Sequence, residues 1–100
     1  MAEVVGITRV SGATPNKKGH TILAFFDLQL PGVLLKGCAL VRYKNGNVVS
    51  WPPKIEDRPH PKRRVLFTDE AMARAITDKA VTAFYAMGGT DAELHPAVGC

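Results

Sequence analysis

The chain reads as an α+β domain, an antiparallel β-sheet of four to five strands followed by one C-terminal helix. Three observations predict this. Residues 20–30 alternate in polarity with period two. Turn dipeptides, Pro31-Gly32 and Asn45-Gly46, separate the apolar runs in the first half. A stripe at helical spacing then runs from Met72 to Met87, closed by Gly88-Gly89.

The first strand is expected over Val4 to Val10, where Val4, Val5, Ile7, Thr8 and Val10 are mostly β-branched and Gly6 weakens the run or marks a bulge. Ser11 to Gly19 is turn chemistry, with Lys17 and Lys18 at an exposed tip. The clearest strand is His20 to Leu30. Its alternation assigns Ile22, Ala24, Phe26, Leu28 and Leu30 to the core, and Leu23 and Phe25 to the opposite face.

Pro31-Gly32 suits the centre of a type II turn, so Val33 to Lys44 returns as the next strand. Its odd positions, Val33, Leu35, Ala39 and Val41 with Tyr43 at the end, are apolar. The even ones mix Lys36, Arg42 and Lys44 with Leu34, Cys38 and Leu40. Asn45-Gly46 opens a hairpin into Asn47 to Trp51, and Pro52-Pro53 ends that strand because proline has no N–H for the ladder. A two-residue loop would put Trp51 on the face of Leu40 and Arg42. A three-residue loop with Gly46 left-handed would reverse it. Both registers fit the sequence.

Lys54 to Arg64 is a proline-punctuated basic loop containing Lys54, Arg58, Lys62, Arg63 and Arg64, and Val65 to Phe67 is a candidate short last strand. Thr68 is placed to cap a helix from about Asp69 to Met87. Its buried stripe is expected to hold Met72, Ala75, Ile76, Ala80, Ala83, Phe84 and Met87. These elements give one domain over 1–89 and a loosely held tail over 90–100.

The 100 residues, 46% of them hydrophobic and 22% charged, suit one globular core. No apolar run reaches the roughly 18 residues that span a bilayer. Met1-Ala2-Glu3 has no basic stretch ahead of a long apolar one. A cytoplasmic protein without membrane contact is expected. Cys38 and Cys100 are too few for a disulfide scaffold and are expected to be unpaired thiols.

Charge is unevenly spread. Residues 1–68 carry a balance of +7 and residues 69–100 one of −3, within a net +4. A basic sheet and loops beside an acidic helix suggest a polyanion as partner. Catalytic patterns are missing: there is no P-loop, GxSxG, HExxH or CxxC, and His20, His60 and His95 lie in different segments. No enzymatic activity, cofactor, metal or small-molecule substrate is expected. The candidate nucleic-acid contacts are Lys17, Lys18, Lys54, Arg58, Lys62, Arg63 and Arg64 for phosphates, and Trp51 for base stacking, with Tyr43 and Tyr85 as weaker stacking candidates. Trp51 as a core anchor is the plain alternative.

The segment Tyr43-Lys44-Asn45-Gly46-Asn47-Val48-Val49-Ser50-Trp51-Pro52-Pro53-Lys54, the charged loop with His60-Pro61, the closing helix and Ile7-Thr8-Arg9-Val10 at the start resemble the stage V sporulation protein G family. The resemblance implies a small α+β homodimer that binds DNA or RNA as a bacterial regulator, with Lys54, Arg58, Lys62, Arg63 and Arg64 as its contacts. The longer Ser11 to Gly19 loop, Pro53, the Lys62-Arg63-Arg64 run and the tail depart from that pattern. The sheet-then-helix order also looks like the single-strand-binding transcriptional coactivator fold, a topological similarity alone. A different reading is an interaction module that dimerises through an apolar sheet face of Leu23, Phe25, Leu34 and Leu40, without nucleic acid.

Overall fold

A computed structural model describes residues 2–54 and 65–95. It contains β1 (Glu3–Arg9), β2 (Thr21–Leu30), β3 (Val33–Arg42), β4 (Val48–Trp51), α1 (Glu70–Ala86) and the short α2 (Asp91–Leu94). The strands form one antiparallel meander in the order β1-β2-β3-β4, and the helix follows. The architecture is the α+β arrangement expected. Val65 to Phe67 is irregular, so the described sheet has four strands.

Helix α1 packs on one face of the sheet and buries Ile76, Ala80 and Phe84 against Ala24, Phe26, Leu28, Cys38 and Leu40. The larger of these, Ile76, Phe84, Phe26, Leu28 and Leu40, contribute about 1.5–3 kcal/mol each when fully buried. Asp69 is the N-cap in place of the expected Thr68, its side chain accepting from the Met72 N–H at 3.2 Å. The expected stripe is too wide. Ala75 is exposed, and Met87 stands 57% exposed at the C-cap.

Strict alternation fails at two bulges, and each reassigns a side chain. Between Ile22↔Val41 and Ala24↔Leu40, β2 carries one extra residue. Thr21 and Leu23 therefore face the helix on one side of the bulge, and Ala24, Phe26 and Leu28 do so on the other. Leu23 belongs to the core, not to the opposite face. Between Phe26↔Cys38 and Leu28↔Leu35 the extra residue is in β3, at Gly37, whose φ of +87° lets the strand kink and whose N–H donates to Asp27 Oδ1 at 3.2 Å. Beyond it Cys38 and Leu40 turn to the helix, while Ala39, Val41 and Tyr43 fall on the far face, where Ala39 and Val41 are nonetheless buried. A third irregularity at Val5 leaves that residue exposed on edge strand β1.

Residues 90–95 are not a loose extension. Thr90 and Glu93 form a reciprocal capping box, and Leu94 is fully buried in the core cluster. The short helix is tied down by Arg9, which pairs with Glu93 at 3.1 Å, donates to the Met87 carbonyl and lies 5.7 Å from the Phe84 ring centroid. Arg42 also donates to the Glu93 carbonyl. No described helix is long and apolar enough to cross a membrane. Cys38 is a buried free thiol.

Candidate nucleic-acid interface

The hairpin after β3 decides where Trp51 points. Arg42 pairs with Val48 and Ala39 with Trp51, and the Tyr43 N–H bonds the Asn47 carbonyl at 2.7 Å. The loop is thus the three-residue form, Lys44-Asn45-Gly46, with Gly46 at φ +93°. Cross-strand partners share a face, so Trp51 lies with Ala39 and Phe25, away from the helix. On the helix side, Val48 packs against the core and the Ser50 hydroxyl accepts from Thr77 Oγ1 at 3.0 Å.

On that far face Trp51 meets two rings distant in sequence. Tyr43 is 6.2 Å from it and His20 6.3 Å, centroid to centroid, while His20 and Tyr43 lie 4.4 Å apart at 38°. The Trp51 indole N–H donates to Tyr43 Oη at 3.0 Å. His20 Nδ1 is buried and has no hydrogen-bond partner among the described residues. All three residues are half-buried, so the rings form a supported surface and are not part of the core beneath the helix.

The β1–β2 connection brings charge to this cluster. Asn16 organises its tip: Oδ1 accepts from the N–H groups of Lys18 at 2.9 Å and His20 at 3.1 Å, and its own N–H bonds the His20 carbonyl at 2.8 Å. This turn holds Lys17 and Lys18, both exposed, beside the rings. A concavity lined by Asn16, Lys17, Lys18, His20, Tyr43 and Trp51 results. A second, adjoining one is lined by the same loop with Thr21, Arg42, Tyr43, Lys44 and His95. The Lys44 stem runs along Gly19, where an added Cβ would come within 3.1 Å of it. Among the described residues no carboxylate side chain lines either concavity. An anion placed there meets like-signed cations and oriented polar groups, and a planar ring meets aromatic faces.

The structure therefore brings three of the sequence-derived candidates, Lys17, Lys18 and Trp51, to one place. Lys54 is exposed three residues beyond Trp51. Arg58, Lys62, Arg63 and Arg64 lie outside the described residues, as does His60. Of the two weaker stacking candidates, Tyr43 lies within the ring cluster, whereas Tyr85 is on the helix, donating to Asp91 Oδ1 at 2.5 Å. His20 and Lys44 were not singled out. Position supplies the signal for both, because His20 continues the far-face row of Ile22 and Lys44 sits in the hairpin loop. Among the described residues no group of three or more His, Cys, Asp or Glu is placed to hold a metal ion. No family model matches the chain, and no curated protein or solved structure matches it significantly.

Proposed function

We propose that this chain is a small nucleic-acid-binding protein, acting on DNA or RNA as a dimeric bacterial regulator or single-strand binder. The observation that carries the reading is the meeting of Lys17, Lys18 and Lys44 with the His20, Tyr43 and Trp51 rings at one end of the sheet, with no carboxylate side chain among the described residues that line the site. Lysines neutralise phosphates and release counterions, and aromatic faces take bases in a sequence-tolerant way. The surplus of +7 in residues 1–68 adds a longer-range attraction for a polyanion. The resemblance of residues 43–54 to the stage V sporulation protein G family favours the same partner class and a homodimer. Lys54, Arg58, Lys62, Arg63 and Arg64 extend the basic surface in this reading.

Fluorescence anisotropy of labelled single-stranded DNA, duplex DNA and RNA at about 50 and 200 mM salt tests it, since phosphate contacts weaken steeply over that range. Binding that falls sharply with salt, and falls further in Lys17→Ala/Lys18→Ala and in Arg63→Ala/Arg64→Ala, is the expected result. No binding to any probe at low salt refutes the reading.

One observation favours the second reading, an interaction module. Phe25 and Leu34 are 45% and 47% exposed. The apolar face it requires is smaller than expected, however, because Leu23 and Leu40 are buried beneath the helix.

A further inference from the structure

The far face of the sheet continues beyond the three rings. Phe25, Ala39 and Trp51 are successive cross-strand partners on β2, β3 and β4. With strands about 4.8 Å apart, Phe25 and Trp51 stand roughly 10 Å from each other across Ala39. Phe25 is 45% exposed, whereas its neighbour Phe26 is 2% exposed in the core. A phenyl ring left this open in the middle of a strand paired on both sides forgoes close to half of its burial energy.

Charge gives this face a direction. Lys17 and Lys18 flank the Tyr43 end, and Lys44 stands at its edge in the hairpin loop. Past Phe25 the face carries Asp27, whose carboxylate accepts from the Gly37 N–H. Phosphates are drawn to the lysine end and repelled from the Asp27 end. A duplex keeps its bases stacked inside and offers such a surface only its backbone. A single strand can lay its bases on the rings.

Resting on the nucleic-acid reading above, we infer that this sheet face is a track for a single strand, with one base against the Tyr43–Trp51 pair, a following base against Phe25, and the phosphates along Lys17, Lys18 and Lys44. Phe25 is the binding residue this adds. The ligand class is single-stranded RNA or DNA, bound with little sequence preference.

The test uses a fluorescein-labelled mixed-sequence oligonucleotide of about ten nucleotides, within the range of known single-strand sites. It is offered as single-stranded RNA, as single-stranded DNA and as the DNA duplex. Single strands of either sugar should bind more tightly than the duplex. Phe25→Ala should weaken single-strand binding about 5- to 150-fold, the effect of losing one stacked base, and leave duplex binding unchanged. Phe25→Tyr, which keeps the ring, should bind as the wild type does, and melting by circular dichroism checks that both variants fold. If Phe25→Ala binds normally while Lys17→Ala/Lys18→Ala weakens binding, the track is wrong and the nucleic-acid reading stands. Tighter duplex binding also overturns the track. If no probe binds, both fail. If Phe25→Ala instead halves the mass of the free protein in sedimentation, the face belongs to a second copy of the chain and the track is overturned.

Discussion

Trp51 donates its indole N–H to the Tyr43 hydroxyl at 3.0 Å, although the two side chains come from strand β4 and from the residue just past β3. The bond sets the angle between the rings, and the three-residue hairpin loop makes it reachable by turning both to the face away from the helix.

Tyr43→Phe removes the acceptor and leaves the ring. A net hydrogen bond of this kind contributes about 0.5–1.5 kcal/mol, and a half-buried indole N–H left unpaired adds to the loss. Urea unfolding should show destabilisation of about 1 kcal/mol, with nucleic-acid affinity little changed because the aromatic surface persists. A wild-type midpoint would mean that water replaces the bond without cost.

The Asn16 turn fixes the backbone at Lys18 and His20, and so sets where the Lys17 and Lys18 stems leave the tip. If each contacts one phosphate, the double alanine variant should flatten the slope of log K against log salt by about 1.4 on a single strand. An affinity loss with an unchanged slope would show that the lysines act through the loop fold and not through phosphates.

Leu94 is fully buried and Glu93 pairs with Arg9, so residues 90–95 should matter to the whole domain. Leu94→Ala should cost about 2–5 kcal/mol, a large share of the stability of a domain this small. Gly89→Ala should also destabilise, because the new Cβ would be driven into the Phe84 ring. Thermal melting of both variants is the check. A Leu94→Ala midpoint equal to wild type would contradict the packing described.

Burial pushes the Cys38 thiol up from 9.0 to about 11, with the Asp27 charge adding to the shift. The folded state therefore holds this proton more tightly than the unfolded chain. Stability from the neutral thiol is fully present below pH 9 and is lost as pH rises from 9 towards 11. Mass spectrometry after iodoacetamide at pH 8 should find Cys38 unmodified in the native protein and alkylated in urea, since the thiolate is the nucleophile. Rapid native labelling would place the thiol nearer solvent.

The element order was legible because period-two alternation, the Pro31-Gly32 and Asn45-Gly46 turns and the helical stripe are local signals. The facing of individual side chains was less so. Nothing in the sequence near Leu23 announces a bulge. Gly37 did carry a signal, as an isolated glycine within a strand pattern, and it moves Cys38 and Leu40 to the helix side. Residues 90–95 carried a signal that the expectation of a loose tail passed over. Thr90 and Glu93 have capping-box spacing ahead of an apolar Leu94, and its shortness hid it. The site itself was half visible. Trp51 and the lysines could be named from the chain, but the approach of Lys17, Lys18 and His20 to Trp51 is a tertiary fact set by strand pairing, with no local trace.

Trp51 is the single tryptophan, so its fluorescence reports on the proposed site directly. Titration with unlabelled single-stranded RNA at about 50 mM salt should quench the emission saturably as a base stacks on the ring, and raising salt to about 200 mM should restore it. Emission that stays unchanged while the same RNA binds the protein would place the nucleic-acid site elsewhere and contradict the account given for the Tyr43–Trp51 cluster.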